Sequence, residues 1–252
     1  MRVPFSDGTI VHLYTAILDE IDGPEARALC ESILSSEERA RRDRFAFERN
    51  RREYLFAHGL LRLALSRCAP AILPAAWRFS EGPHGRPELA GPDGAPPLHF
   101  NLSHTDGLVA CVVSSAPLIG IDVEATDRRT ATLEIAEGFF APPEVAALRA
   151  LPPEAARDRF FRYWTLKESY IKARGLGLTL PLDQFWFAIE PDAPIGISFG
   201  PPLADDPNRW RFVERQPTPR HRMAIALGAD RSGDWTIEGH PWHSLSPPTA
   251  GV

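Results

Sequence analysis

The stretch FFRYWTLKESYIKARGLG, from Phe160 to Gly177, places more large aromatic side chains among more charges than any other part of the chain. It contains no proline and follows the Pro152-Pro153 pair. It ends in Gly175 and Gly177, where a helix C-cap is expected. The pattern predicts one helix over Asp158–Ala173, and we expect the rest of the chain to be organised around it.

At 3.6 residues per turn this helix has a broad apolar face with a charged shoulder beside it. The shoulder carries Thr165, Glu168 and Lys172, the last two at i and i+4. Such a pair is either a solvated surface ion pair, which stabilises a helix by roughly a few tenths of a kcal/mol, or part of a site. Lys167 lies within the apolar face, where a lysine either extends along the aromatic side chains to water or binds an anion. The apolar face consists of Phe160, Tyr163, Trp164, Leu166, Tyr170 and Ile171.

The composition is that of a globular protein with a real core. The chain has 252 residues, 44% of them hydrophobic, which is enough for one large domain or two small ones. A net charge of −5 argues against a general nucleic-acid binder. The chain starts without a signal-peptide pattern and has no stretch of membrane-spanning length, so we expect a cytoplasmic protein without nucleic-acid or membrane partners. Its three cysteines are scattered, which argues against a disulfide framework.

Arginines are concentrated in the segment Arg39–Arg52, ahead of an apolar pattern that predicts a buried helix. They form either a solvated helix face or a phosphate site, which suits the geometry of guanidinium groups. A glycine-and-proline turn further along, Gly85–Pro87, carries Arg86. The arginines of the first segment are Arg39, Arg41, Arg42, Arg44, Arg49, Arg51 and Arg52.

The stretch HFNLSH precedes a buried strand predicted at Leu108–Ser114. This order predicts a hairpin with Asn101, Ser103 and His104 at its tip. Small polar residues are ordinary at a turn. A functional role for them therefore needs support from elsewhere in the chain.

The stretch IGIDVE, Ile119–Glu124, predicts a strand with Asp122 and Glu124 on one face. Two carboxylates at this spacing repel each other unless a cation or a base neutralises them. Oxygen ligands of this kind suit Mg²⁺. The alternative is an exposed edge strand with solvated acids.

The second part of the chain contains short strand patterns between residues 185 and 227, which predict an antiparallel sheet. Tyr54–Leu63 resembles Tyr163–Lys172, since both are aromatic-led helical segments that precede a set of strands. This echo indicates two similar halves, with residues 1–117 as the N-terminal half and residues 118–239 as the C-terminal half. Residues 240–252 are predicted to be a loose tail.

Three motifs taken together resemble the 4'-phosphopantetheinyl transferases of the long, two-half, surfactin-synthetase-activating type. They are Asn101-Leu102-Ser103-His104, Ile119–Glu124 and Trp164–Lys172, in this order. The resemblance extends from about Leu34 to Leu227. It implies an α+β fold of two similar α/β halves in a pseudo-twofold arrangement, with the active site in the cleft between them. It also implies a monomer.

The resemblance implies transfer of phosphopantetheine from coenzyme A to a serine of an apo acyl, peptidyl or aryl carrier protein, with release of adenosine 3',5'-bisphosphate. Asp122, Glu124 and Glu168 are the expected ligands of Mg²⁺, for which Mn²⁺ could substitute. Glu168 takes the serine proton directly or through water, Lys172 neutralises the leaving group, and Lys167 adds electrostatic field or packing. The residues expected against coenzyme A are Gly85, Arg86, Pro87, Asn101, Ser103, His104, Asp122 and Lys172, with Arg44, Arg49 or Arg41 at the 3'-phosphate.

Two other classes of protein remain open from the residues alone. A Mg²⁺-dependent phosphohydrolase could use the same acids and lysines to cleave coenzyme A-like diphosphates without a carrier. A non-catalytic module could bind coenzyme A or a carrier protein. The full set of three acids and a lysine argues against the second alternative, because a binding module has no need of a base.

Overall fold

A computed structural model describes residues 9–82, 84–127, 132–201, 203, 205–229 and 235–245 of the chain. The chain divides into two compact units. The first unit consists of Met1–Pro117 together with Gly233–Val252, and the second of Leu118–Ser232. The two units are described separately below.

The helices and strands follow in chain order. The first unit contains β1 (Thr9–Ile17), α1 (Leu18–Ile21), α2 (Pro24–Ile33), α3 (Ser36–Asp43), α4 (Glu48–Cys68), β2 (Arg78–Glu81), β3 (Pro87–Gly91), β4 (His99–Thr105) and β5 (Leu108–Ser114). The second contains β6 (Ile119–Ala125), α5 (Thr132–Phe139), α6 (Pro142–Arg149), α7 (Pro153–Arg174), β7 (Phe185–Ala188), β8 (Gly196–Phe199), β9 (Trp210–Arg215) and β10 (His221–Gly228). The chain then returns to the first unit with β11 (Trp235–Pro241).

The first unit is a four-stranded sheet with the long helix α4 packed against it. The strand order is β11-β1-β5-β4, in which β1 and β11 run parallel and the other neighbours antiparallel. Because alternate residues of a strand share a face, Tyr14 and Ala16 of β1 enter one core with Val113 of β5. Phe56 and Leu60 of α4 fill the same core and are fully buried. Helix α4, which the sequence predicts to be buried from its apolar residues, therefore packs on the sheet.

The second unit has the same plan of a sheet with one long helix. Its sheet has the order β6-β10-β9, and α7 packs against β6 and β10. Strands β7 and β8 form a separate hairpin, so the predicted antiparallel strands divide between two sheets rather than one. The two long helices have 21 residues in α4 and 22 in α7. The predicted α+β fold with two units of similar content is confirmed.

Helix α7 begins five residues before the predicted start. Pro153 occupies its first position, where the missing N–H is tolerated and the fixed φ favours a helix. The C-terminal end agrees with the sequence prediction, because Gly175 adopts a left-handed φ of 65° and its N–H bonds the carbonyls of Ile171 and Lys172. The C-cap glycine thus predicted the end of the helix more accurately than the proline pair predicted its start.

The C-terminal segment differs from its prediction. Residues 235–241 form β11, which pairs with β1 along its length, so they belong to the first unit and not to the C-terminal half. Trp242–Ser244 continue as a short 3-10 helix and Leu245 is buried in the first core. The predicted loose tail is therefore wrong for residues 240–245, while residues 246–252 lie outside the described part of the chain.

A search of the described helices for a membrane span found none with sufficient length and hydropathy.

Candidate active site

The second unit brings β6 and α7 unusually close together at Gly120. A Cβ atom on Gly120 would collide with the carbonyl oxygen of Ser169 and lie 2.5 Å from the backbone nitrogen of Ala173. Only a glycine permits this approach. Ser169 and Ala173 are themselves small and fully buried on this face of the helix. The strand that carries Asp122 is thereby held directly against the helix that carries Glu168 and Lys172.

Lys172 and Asp122 form the central ion pair of this site. The Lys172 Nζ donates to Asp122 Oδ1 at 2.6 Å and to the carbonyl oxygen of Ile121 at 3.1 Å. The Asp122 side chain is 7% exposed, whereas the Lys172 side chain is 27% exposed. One end of the pair is thus fixed in the protein and the other is accessible to a ligand.

Glu168 lies one turn before Lys172 in the same electrostatic environment. Burial raises the pKa of Glu168, the negative charge of Asp122 raises it further, and the positive charge of Lys172 opposes both effects. Two carboxyl groups from separate elements, Asp122 on β6 and Glu168 on α7, therefore act on each other with one ammonium group beside them. Of the three acids expected from the resemblance as metal ligands, Asp122 and Glu168 thus lie in the electrostatic environment of Lys172.

Glu124 shares the face of β6 with Asp122 and is half-buried, opposite Arg222 in the β10 register. The three acids do not form one closed cluster, since the ligand oxygens of Asp122, Glu124 and Glu168 are not all within 4.8 Å of one another. The structure brings Asp122 and Glu168 together, and Glu124 lies two residues beyond Asp122 on the same strand. Carboxylate oxygens are the donors that Mg²⁺ prefers, so the donor set suits this ion.

Lys167 is buried and paired inside the protein, which fits the packing role considered for it and not the predicted catalytic one. Its Nζ is buried, forms an ion pair with Glu144 Oε2 at 2.8 Å, and donates to the carbonyls of Leu182 at 2.7 Å and Phe185 at 2.6 Å. The three N–H groups of an ammonium are thereby all used inside the protein. Burial lowers the pKa of Lys167, and the neighbouring Glu144 partly offsets this. Lys167 is a packing residue that joins α6, α7 and β7.

In the first unit, Asn101 and Ser103 are buried within β4, and not at the tip of the hairpin as predicted. The hairpin turn is formed instead by Asp106 and Gly107. His104 is more exposed, and its Nδ1 lies 3.4 Å from Glu53 Oε2 on α4. The three residues therefore line a strand and share no single loop.

Arg86 lies beside a cavity of about 310 Å³ in the first unit. The lining includes Pro87, His99 and Phe100, and the Arg86 Nη2 donates to the Phe100 carbonyl at 3.4 Å. Burial lowers the pKa of Arg86. Gly85 has a φ of 77°, which the turn before Arg86 requires. A half-buried guanidinium at a cavity is a suitable anion contact.

The arginines proposed for a phosphate differ in their surroundings. Arg41 on α3 lines a second cavity, of about 490 Å³, which also includes Tyr54, Trp77 and Phe100. Arg44 and Arg49 are exposed, and the Arg49 guanidinium lies over the Phe47 ring at 5.6 Å. Of the three, Arg41 is the one that lines this cavity.

Two sets of residues that hold this region have no signature in the sequence. Glu144 is the partner of Lys167. The two residues are 23 positions apart and lie on different helices, so the i, i+4 spacing of a single helix does not predict the pair. Asp205 Oδ2 accepts hydrogen bonds from Tyr170 at 2.8 Å, Arg174 at 2.6 Å and Trp210 at 2.9 Å. A glycine inside a strand beside two acids, as at Gly120, was the one local signal of a close backbone approach.

Comparison with protein families identifies the class to which this fold and site belong. A model of the 4'-phosphopantetheinyl transferase superfamily matches residues 118–227, and a model of the 4'-phosphopantetheinyl transferase N-terminal region matches residues 24–116. The chain belongs to the 4'-phosphopantetheinyl transferase superfamily. It is of the long type with two halves, and it is an enzyme that transfers 4'-phosphopantetheine to carrier proteins.

Individual relatives match over most of their length. The 4'-phosphopantetheinyl transferase HetI of Nostoc sp. is 36% identical over 219 residues, which is 86% of this chain and 87% of the relative. The 4'-phosphopantetheinyl transferase Sfp of Bacillus subtilis is 32% identical over 213 residues, or 84% and 90% of the two chains. The L-aminoadipate-semialdehyde dehydrogenase-phosphopantetheinyl transferase of Xenopus laevis is 29% identical over 216 residues, or 79% and 70%. Members of the superfamily use coenzyme A as substrate.

Proposed function

We propose that the enzyme moves the 4'-phosphopantetheine of coenzyme A to a serine hydroxyl of an apo carrier protein, with Mg²⁺, at a site made of Asp122, Glu168 and Lys172. The observation that carries this proposal is the convergence of these side chains. The Lys172 ammonium contacts Asp122 at 2.6 Å, and the charge of Asp122 raises the pKa of Glu168. A surface ion pair has no reason to include a second, largely buried carboxyl group.

The donor set supports Mg²⁺ as the metal, with Mn²⁺ as a substitute. Asp122 and Glu168 would hold the ion, with Glu124 as the third candidate. Two neighbouring carboxyl groups, one with a raised pKa, form a site in which a cation relieves repulsion. When bound, Mg²⁺ neutralises charge on the pyrophosphate of coenzyme A.

Each protein group has a defined task in this reaction. Glu168 accepts the serine proton as the serine oxygen forms its bond to the phosphorus that bears pantetheine. The bond from that phosphorus to the bridging oxygen of the pyrophosphate breaks, and adenosine 3',5'-bisphosphate leaves. Lys172 neutralises the charge that develops on this leaving group. For this task Lys172 must shift from Asp122 Oδ1 toward the substrate, and its partial exposure allows such a shift.

Residues of the first unit are proposed to bind coenzyme A. Arg86, between Gly85 and Pro87, supplies a half-buried guanidinium beside a cavity of about 310 Å³. Ser103 and His104 of β4 are proposed phosphate contacts, with Asn101 as their support. All three arginines are exposed, and Arg41 is favoured over Arg44 and Arg49 at the 3'-phosphate because it alone of the three lines this cavity.

The proposed partners are apo acyl, peptidyl and aryl carrier proteins, and the enzyme is proposed to act as a monomer in the cytoplasm. The test incubates the full chain with coenzyme A, Mg²⁺ and a panel of apo carriers, and follows the intact mass of each carrier. We expect a gain of one phosphopantetheine group on the carrier serine and an equal amount of adenosine 3',5'-bisphosphate. A serine-to-alanine carrier is the matched control.

Other outcomes of this experiment identify the competing functions. Cleavage of coenzyme A at the same rate without a carrier would make the protein a phosphohydrolase. Binding of coenzyme A with no product in any mixture would make it a binding module. Transfer that continues unchanged with a chelator present would exclude the proposed metal.

A further inference from the structure

A cluster of two histidines and one glutamate lies in the first unit, apart from every residue used above. His12 belongs to β1, whereas Glu238 and His240 belong to β11. In the parallel register of these strands, His12 is opposite Glu238 and Tyr14 is opposite His240. Because alternate residues of a strand share a face, all three polar side chains project from the same side of the sheet.

The separations among the three ligand atoms match those of a bound transition metal. The His12 Nδ1 lies 3.2 Å from His240 Nε2 and 3.6 Å from Glu238 Oε2, and the last two atoms are 3.9 Å apart. A tetrahedral zinc ion with bonds of about 2.1 Å holds its ligand atoms about 3.4 Å from one another. The three observed separations, from 3.2 to 3.9 Å, lie on both sides of this value.

The surroundings favour a fixed site over a chance contact. The His240 ring stacks on Tyr14 with centroids 4.9 Å apart and an angle of 24° between planes. Tyr14 is 1% exposed, and its hydroxyl lies 3.4 Å from the Cys68 sulfur at the end of α4. The stack on a buried Tyr14 limits the orientations open to the His240 ring. The three ligand side chains are themselves 26–42% exposed, so an ion and a water molecule can enter from solvent.

We propose that His12, Glu238 and His240 bind a zinc-class divalent transition metal that clamps the C-terminal strand to β1. Two imidazole nitrogens and one carboxylate oxygen are typical donors for Zn²⁺, Co²⁺, Ni²⁺ and Cu²⁺, in contrast to the all-oxygen set proposed for Mg²⁺. Among the described residues this is the one group of three such side chains with all ligand atoms within 4.8 Å. The ion would join residues 228 positions apart in sequence. This inference does not depend on the proposed function.

The clamp has a structural consequence that can be measured without any activity assay. Strand β11 lies at the edge of its sheet, and among the described strands its one neighbour is β1. A ligand that binds the folded state and not the unfolded state stabilises the folded state. Metal binding is therefore expected to raise the melting temperature and to slow hydrogen exchange of the amides in Trp235–Pro241.

The test uses the full chain, freed of metal and kept in saturating Mg²⁺ to occupy the Asp122–Glu168 region. Titration with Co²⁺ is followed by visible absorption, and Zn²⁺ binding by calorimetry. We expect one equivalent to bind, with Zn²⁺ displacing Co²⁺. The variants His12→Ala and His240→Ala should each lose more than about tenfold in affinity, since even loss of an outer partner costs about 10–100-fold. His243→Ala, an exposed histidine three residues beyond His240, is the matched control.

The partly exposed Glu238 provides a variant that is expected to fold normally. Glu238→Gln should weaken Co²⁺ binding while its circular dichroism stays unchanged. The proposal is overturned if neither ion binds to the wild-type chain, or if His12→Ala and Glu238→Gln bind as tightly as His243→Ala. It is also overturned if Zn²⁺ binds without slowing exchange in β11, because the metal would then lie elsewhere.

Discussion

Helix α7 carries two lysine–carboxylate pairs that differ in burial and in the use of their donors. The pair of Lys167 and Glu144 has side chains 1% and 0% exposed, and each group is fully hydrogen-bonded within the protein. The pair of Lys172 and Asp122 is 27% and 7% exposed, and it lies beside the further carboxyl group of Glu168. Similar residue types thus serve packing on one side of the helix and a candidate site on the other. What separates the two is whether water, and hence a ligand, reaches the cation.

The largest expected effect on activity is that of Glu168→Gln. If Glu168 is the base, the variant should lose about 10²–10⁴-fold in the rate of phosphopantetheine transfer, the usual contribution of a positioned base. The fold should be retained, because Gln has nearly the same shape. The measurement is the initial rate of holo-carrier formation together with the melting temperature. Glu154→Gln, at an exposed site of the first turn of α7, is the control. Near-normal turnover of Glu168→Gln would remove this residue from the mechanism.

Lys167→Met should instead act on stability. Removing one partner of a buried ion pair leaves the charge of Glu144 uncompensated, which typically costs about 3–5 kcal/mol. Urea unfolding of the variant checks this value. The double variant Lys167→Met/Glu144→Gln should recover part of the loss, because the unpaired charge is gone. A Lys167→Met protein that is as stable as the wild type but inactive would restore the catalytic role predicted from the sequence.

Lys172→Met should reduce the transfer rate by about 10²–10³-fold, as for the loss of one group that stabilises developing negative charge. The variant keeps the apolar stem and removes the ammonium that contacts Asp122. Since Lys172 and Mg²⁺ would share Asp122, added Mg²⁺ should raise the melting temperature of the variant more than that of the wild type. Equal shifts in both proteins would show that the ion binds away from Asp122.

The smallest expected effect is the pH dependence that Glu168 imparts to stability. Its pKa is raised in the folded protein, so the folded state retains the proton over a range in which the unfolded state has lost it. The contribution of Glu168 to the free energy of unfolding is therefore largest below the pKa that Glu168 has in the unfolded chain. It is lost as the pH rises through the higher pKa that Glu168 has in the folded protein. Without Mg²⁺, the melting temperature of the wild type should therefore fall relative to that of Glu168→Gln as pH rises through this window. Parallel curves for the two proteins would contradict the raised pKa.

The sequence was most informative where structure is local. The C-cap at Gly175 and the strand Ile119–Glu124 follow from glycine and from alternation, and both are seen within one residue of the prediction. The family resemblance that the three motifs carry together also predicted one site for Asp122 and Glu168, although they are 46 positions apart in the sequence. The sequence does not predict the partner of Lys167, because a buried lysine can pair with any acid that the fold brings close, and the spacing of residues within one helix does not identify that acid.

The C-terminal strand was missed for a similar reason. Its alternation of Trp235 and Ile237 with polar residues is short and ends in Pro241, which argues against a strand interior. Strand β11 lies at the edge of its sheet, and a proline is tolerated at the end of an edge strand, so Pro241 is compatible with the strand. Pairing with β1 depends on residues at the opposite end of the sequence, and no window of sequence contains both.

The return of β11 to the first unit also determines the order in which the protein can be completed on the ribosome. Residues 118–232 emerge as an uninterrupted segment, and all strands of their sheet are available once β10 has been made. The sheet that contains β1 must wait for β11, which follows the whole second unit in the sequence. During synthesis β1 therefore has an open edge, and unpaired edges are the places where nascent chains associate wrongly. Closure of that edge therefore follows synthesis of the whole second unit, even though β1 is made before that unit.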